Sequence, residues 1–409
     1  MNAVEPGRTR LDALALGSAV AAVLAGMLTA FTVSVGGEMP LGEVVLTGVL
    51  AWIAFCTVVT CRIPPEVPRD RLFRALLVCQ VVAFAAYVFS DIYRHSSPHD
   101  MGRGWARMVF LAIDIVSVAY LVGCSRANLL LFLYGQLLGD ALHAFAFGPL
   151  YGDMWKFGVG VPLTYLAFLA ASLMGRPAVV CAALAMSAVN FAMDFRSFGG
   201  ICLLAGAATL VSLFPRRARP WLVIPAIALV AVGIGAYGLG RGDNYRSTRS
   251  DISRSAMLVS ASDGFLSSPL IGQGSWFSNS KVFDNFMMIR AETAKANHIG
   301  GFPEDNEDPG TVAIHSQILV ALAEGGVFGA TFFMAYGAAL AAAICRLTFT
   351  LAGDRFTGIY LLVLLAALFN WFLSPFSGAH RVYIAVACAL ILLLQRPPVA
   401  ALRPEPLPR

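Results

Sequence analysis

Arg196, Arg254 and His315 have the residue types and settings for chemistry at a phosphate and a sugar hydroxyl. Arg196 stands in Asp194-Phe195-Arg196-Ser197, a minimal turn between two apolar runs. A guanidinium is permanently charged, and its planar fork matches phosphate oxygens two at a time. Arg254 opens a helical stretch that passes Met257, Leu258, Phe265 and Leu266 and stops at Pro269-Leu270-Ile271-Gly272-Gln273-Gly274. Gly272 and Gly274 permit positive φ and close backbone approach, which suits a turn packed on a site or on a phosphate. His315 follows in Ala313-Ile314-His315-Ser316-Gln317, at the mouth of the next apolar run. Imidazole titrates near neutrality, which suits a general base that takes a proton from a hydroxyl.

These residues are set among elements of a particular kind. Hydrophobic residues make up 58% of the chain and charged ones 13%, far from the soluble balance. Twelve apolar runs read as membrane-crossing helices: Ala13–Val35, Leu41–Cys61, Phe73–Tyr93, Met108–Cys124, Leu129–Tyr151, Phe157–Met174, Ala178–Asp194, Gly199–Phe214, Trp221–Gly240, Ser316–Cys345, Thr357–Leu373 and Val382–Gln395. The runs are continuous, whereas a membrane barrel alternates, so the fold class is all-α. The first run lacks a convincing cleavage site and is followed at once by further spans, unlike a removable signal. Residues 1–409 read as one polytopic membrane domain. The tail at 396–409, with five prolines, reads as disordered and cytoplasmic.

Basic residues set the expected orientation. With the N-terminus inside, sixteen arginines fall in inner segments, among them Arg62, Arg126, Arg216 and Arg355. Six basic residues fall in short outer loops: Arg94, Arg103, Arg107, Lys156, Arg196 and Arg381. Both termini are then cytoplasmic, and Arg241–Ile314 is a long outer loop between the ninth and tenth spans. At headgroup level, Arg196 would meet a lipid diphosphate, although a basic residue there also serves as a plain anchor. Within the loop, Val282, Phe283, Phe286, Met287 and Ile289 form a one-sided stripe from Lys281, interrupted by Arg290. That pattern predicts a helix lying on the membrane or on the rest of the protein.

Several function classes are excluded. The net charge of +5 follows the inner-loop bias, so nucleic acid is not a partner. The eight cysteines lie in or beside spans, which indicates no disulfide framework, and their spacing fits no zinc site. No Lys-Ser/Thr follows Gly274, which rules out a nucleotide loop. Glu304, Asp305, Glu307 and Asp308 read as a solvated acidic run without metal-ligand spacing. Asp114, Asp140 and His143 fall inside spans, where ionisable groups are functional or structurally paired. Glu324, in the tenth run, needs a partner or a cavity. His380 and Arg381 stand at the outer start of the last run, where Arg381 is a candidate substrate contact.

Taken together, these motifs resemble the O-antigen ligase and polymerase superfamily. Its pattern is an arginine-serine turn, then an arginine, a helix and Pro-Leu-x-Gly-x-Gly. A His-Asn-x-x-Leu helix start follows, running on to Glu-x-Gly-x-x-Gly. Here these are Arg196-Ser197, Arg254 with Pro269 to Gly274, and His315-x-x-x-Leu319 with Glu324-x-Gly326-x-x-Gly329. The order and sidedness cover nearly the whole chain, and the motifs about a quarter of it. Departures are Ser316 for asparagine, Leu258 where many members have tryptophan, and Phe195 for serine.

The resemblance implies a GT-C-like enzyme of the bacterial inner membrane with its active site facing the periplasm. It would move a glycan, the O-antigen, from an undecaprenyl (polyprenyl) diphosphate carrier to the lipid A-core oligosaccharide. Transfer would invert the anomeric centre and need no metal or cofactor. Arg196 and Arg254 would hold the diphosphate, with Gly272, Gly274 and Arg381 as further substrate contacts. His315 would accept the acceptor proton or orient the hydroxyl. The rival readings are an O-antigen polymerase, a protein O-oligosaccharyltransferase and a lipid-linked glycan transporter.

Overall fold

The computed structural model describes residues 6–34, 38–123, 125–148, 153–225, 228, 245–277, 281–296, 314–350 and 354–395. Among the described residues, eight helices are long and apolar enough to cross a membrane, and four further apolar helices are shorter. The protein is an all-α membrane protein. Among the described residues, its one sheet is a hairpin, β1 (Thr32–Ser34) against β2 (Glu38–Pro40), with Val33 opposite Met39.

In chain order the helices are α1 (Pro6–Leu28), α2 (Leu41–Thr60), α3 (Arg71–Arg94), α4 (Pro98–Val122), α5 (Arg126–Phe147), α6 (Gly160–Met174), α7 (Arg176–Ala192) and α8 (Arg196–Leu213). After them come α9 (Tyr245–Ser267), α10 (Lys281–Ala296), α11 (Gln317–Gly329), α12 (Thr331–Phe349), α13 (Thr357–Leu373) and α14 (Gly378–Gln395). Side-chain caps fix several starts, because the first amides of a helix lack partners within it. Asp70 accepts from the Phe73 amide at 2.7 Å, Ser97 from Asp100 at 3.1 Å, and Ser316 from Leu319 at 3.3 Å.

The structure differs from the sequence reading at four boundaries. The first run stops at Leu28, and β-branched Thr32 and Val33 turn into the hairpin. Helix α4 starts at Pro98, where Ser97 caps it and proline occupies its first position. Arg103 and Arg107 are therefore helical residues rather than loop residues. Arg254 lies inside α9 instead of opening it. The tenth run is two helices, α11 and α12, and α11 is itself broken at Gly326 (φ 66°, ψ −164°). At 13 residues, α11 is shorter than the about 20 needed to cross the hydrocarbon core. Most of the ninth run, the acidic run at 304–308 and the tail at 396–409 lie outside the described residues.

The large buried core joins most of the apolar helices. A second, small cluster lies over one end, where Ala261 of α9 and Val282 of α10 meet Ile314, Val320 and Ala323. Helix α10 turns Val282, Phe286, Arg290 and Ala294 inward and leaves Asp284 and Glu292 exposed. The stripe thus packs on protein, and Arg290 belongs to it with its guanidinium 5.1 Å from the Phe286 ring.

Polar contacts sort the turns into two groups. Arg126 pairs with Asp354, while Arg216 and Arg219 donate to the carbonyls of Thr350, Thr348 and Phe349. These segments are the ones read as inner. In the other group, the α3–α4 turn contacts Ser268 to Ser275 and, through Arg107, Glu324 and Phe376. Apart from Glu324, read within the tenth run, those are segments read as outer.

Candidate functional site

The site is framed by a strap, Pro269 to Ser275, clasped onto the break in α11. The Gln273 amide donates to the Ala323 carbonyl at 2.8 Å, and Gly274 to Glu324 at 3.0 Å. In return, the Val327 amide donates to Pro269 at 2.8 Å. Backbones approach so closely that a Cβ on Gly272 would lie 2.3 Å from the Glu324 carbonyl oxygen. One on Gly326 would lie 2.4 Å from that of Leu270. All three glycines have φ between +66° and +85°, which other residues rarely adopt. The Gly272 amide donates to Ser268 at 2.9 Å. With both strap-glycine amides engaged inside the protein, the glycines serve packing, and the phosphate-cradle reading has no donor left there.

Beneath the strap is a polar hub. Asp91, fully buried, accepts from the Ser275 amide at 2.6 Å, Ser275 Oγ at 2.8 Å, Ser96 Oγ at 2.9 Å and Trp105 Nε1 at 2.8 Å. Arg94 donates to the Gly272 carbonyl at 2.9 Å. Glu324 pairs with Arg107 and accepts from the Trp276 amide at 3.0 Å. Arg107 and Arg103, one helical turn apart, both lie over the Trp276 ring, at 5.1 and 4.1 Å. The costly Glu324 charge is therefore partnered, as burial requires.

His315 lies just before α11, at the end of that helix away from the strap. Ile314 before it is buried, Ser316 after it caps the helix, and His315 itself is half-buried. Burial is the main cause that lowers its pKa below the ordinary 6.5, and the Arg254 guanidinium lowers it further. Both effects disfavour a second positive charge. The imidazole is thus neutral near pH 7 and can accept a proton, with a cation beside it for an anionic partner. His380, at the start of α14, has its Nδ1 2.7 Å from Ser377 Oγ.

The other sequence candidates have different surroundings. Arg196 begins α8 and pairs with Asp194 at 2.9 Å in its own exposed turn. The described contacts do not join it to His315. Arg381 is buried and forks Glu43, Nε to Oε1 and Nη2 to Oε2, each at 2.8 Å. Its fork is engaged by a carboxylate in this structure. Asp114 lies beside that pair. His143 packs between Phe31 and Phe147, with ring centroids 5.7 and 5.2 Å away.

Sequence reading gave no role to Arg103, Arg107, Asp91 or Trp276 at this site. The i, i+4 spacing of Arg103 and Arg107 was the available signal, but placing them in a loop removed it. No family model matches the chain, and no curated protein matches it.

Proposed function

We propose that the protein is a glycosyltransferase working at the outer face of the bacterial inner membrane. It moves a glycan from an undecaprenyl diphosphate carrier to lipid A-core oligosaccharide. The observation that carries this reading is the pairing of a neutral, half-buried His315, just before α11, with Arg254 of α9. Such a pair suits a reaction in which a hydroxyl loses a proton while a diphosphate gains charge. The motif resemblance supplies the substrates, and the inner-loop arginine bias supplies the orientation.

In this reading the acceptor oxygen bonds to the anomeric carbon from the side opposite the diphosphate. The sugar–phosphate bond breaks, and the leaving diphosphate keeps the electron pair. Fixed positive charge is most effective where negative charge develops. Arg254 lies beside the diphosphate, Arg196 supplies a second guanidinium from the α7–α8 turn, and His315 receives the hydroxyl proton. The strap glycines hold α9 against α11 and so set the distance between Arg254 and His315.

Deleting the gene and examining surface polysaccharide tests the acceptor. Free lipid-linked polymer together with bare lipid A-core supports the ligase. A single repeat on the core means a polymerase, loss of a protein-linked glycan means a protein transferase, and unchanged surface glycans refute the reading.

A further inference from the structure

One guanidinium of the hub has no role in the mechanism. Arg103, half-buried in α4, has its Cζ 4.1 Å from the centre of the Trp276 ring. Among the described residues it has neither a carboxylate partner nor a hydrogen-bond acceptor. Asp100, the nearest acid in sequence, accepts from Ser97 Oγ at 2.7 Å and lies 3.7 Å from His99. A guanidinium seated over an aromatic ring uses its face, so the N–H groups around its edge stay available to an oxyanion.

Both halves of this stack are fixed in place. Gly104, next to Arg103, lies so close to the strap that a Cβ there would be 2.0 Å from Ser275 Oγ. Trp105 after it donates to buried Asp91 at 2.8 Å. The Trp276 amide donates to Glu324 at 3.0 Å, and its backbone is left-handed at φ 57°. Such a conformation is uncommon outside glycine and is held only where the surroundings impose it.

The same place has more donors than acceptors. Arg107 Nε and Trp276 Nε1 are buried and have no acceptor among the described residues, whereas buried donors are normally paired. Three guanidinium groups, on Arg94, Arg103 and Arg107, meet two carboxylates, on Asp91 and Glu324. One positive charge is left over. The hub and His315 stand at opposite ends of α11. Gln317 to Glu324 alone covers about 10 Å along the helix axis.

We propose that Arg103, seated on Trp276, is a phosphate-binding site separate from the Arg254–His315 pair. Its ligand is a phosphate group, carried by a phosphorylated sugar or by a phospholipid headgroup. Two phosphate oxygens meet the fork of Arg103, and a third is free for another donor, which a carboxylate with two oxygens does not offer. The site stands whether or not the protein transfers a glycan.

Fluorine NMR of the full-length protein in detergent, labelled with 5-fluorotryptophan, reads the stack directly. Trp276→Phe identifies the Trp276 signal by its loss. Single phenylalanine variants of the other five of the six tryptophans identify it by elimination. Inorganic phosphate and glucose 6-phosphate, titrated at constant ionic strength, should each move that signal saturably, and acetate should not. Arg103→Gln should weaken phosphate binding at least about tenfold, the loss of a charged hydrogen-bonding partner. Arg103→Lys should recover part of it, because an ammonium lacks the fork. Arg254→Gln should leave the Trp276 response in place. Nanodiscs then separate the two sources. A signal that moves between phosphatidylcholine and phosphatidylglycerol discs and then ignores glucose 6-phosphate assigns a lipid headgroup. A full glucose 6-phosphate response in both discs assigns a sugar phosphate. A wild-type signal that phosphate does not move, an equal response in Arg103→Gln, or an equal response to acetate would overturn the site. Loss of the response in Arg254→Gln would overturn its separation from the reaction centre.

Discussion

The amide of Gly274 donates to the carbonyl of Glu324 at 3.0 Å, while the carboxylate of the same glutamate pairs with Arg107. One residue thus receives the strap through its backbone and the α4 arginine through its side chain. Strap, broken helix and hub form one unit.

That unit makes the strap glycines intolerant of side chains. Alanine in a left-handed conformation costs about 1–2 kcal/mol, and at Gly272 its Cβ would also collide with the Glu324 carbonyl. Gly272→Ala and Gly326→Ala should lower the melting temperature of purified protein and reduce folded yield. Gly102→Ala, where a Cβ would meet nothing within 4 Å, is the control. Equal melting of all three proteins would show that the clasp is dispensable.

The hub should behave as a buried ion pair. Glu324→Ala leaves Arg107 buried without its counter-charge, a loss of about 3–5 kcal/mol. Replacing both residues by apolar ones of similar volume, Glu324→Leu with Arg107→Met, should restore much of the stability. Denaturation midpoints of the two single variants and the double variant measure this coupling. Additive losses would mean that the pair contributes little.

Much of the fold was legible in composition, because continuous apolar runs leave few alternatives to helices. The break at Gly326 was not, since what packs on it is far away in sequence: the strap carbonyl of Leu270 lies 2.4 Å from where a Cβ on Gly326 would stand. Of the site, Arg254 and His315 were legible from residue type and order, and the structure places them together. The pairing of Arg381 was not legible because Glu43, its fork partner, lies 338 residues away in sequence. His380 was visible as a residue, but its contact with Ser377 needed the fold.

The diphosphate role assigns a loss of transfer to each of the two arginines. A charge-assisted hydrogen bond contributes about 1.5–3 kcal/mol, or roughly tenfold to a hundredfold in rate if it strengthens in the transition state. Arg254→Ala and Arg196→Ala should each lose at least that much transfer while remaining folded. Arg254→Lys should recover only part, because an ammonium lacks the bidentate fork. Removing Arg254 should also raise the titration midpoint of His315, since its guanidinium lowers that pKa; no effect should follow from Arg196→Ala. Full transfer by both alanine variants would reduce these residues to membrane anchors.

Sidedness follows from two engineered cysteines. In a background with the exposed Cys61, Cys181 and Cys345 changed to serine, Asp284→Cys and Arg217→Cys both lie at exposed positions. An impermeant reagent applied to intact spheroplasts should label Asp284→Cys and leave Arg217→Cys unlabelled until the membrane is opened. Labelling of Arg217→Cys alone from outside would invert the orientation.

The central claim is that His315 accepts the acceptor proton, and its pH profile tests this most directly. The assay is transfer by purified wild type and His315→Ala, from lipid-linked donor to lipid A-core acceptor. Only the neutral imidazole accepts a proton, so wild-type rate should rise as pH increases through the His315 pKa and then level. Burial and Arg254 place that rise below the ordinary 6.5. His315→Ala should turn over about two to four orders of magnitude more slowly, with donor binding unchanged and the rising limb gone. A wild-type rate that falls as pH rises, or turnover by His315→Ala equal to wild type, would contradict the account.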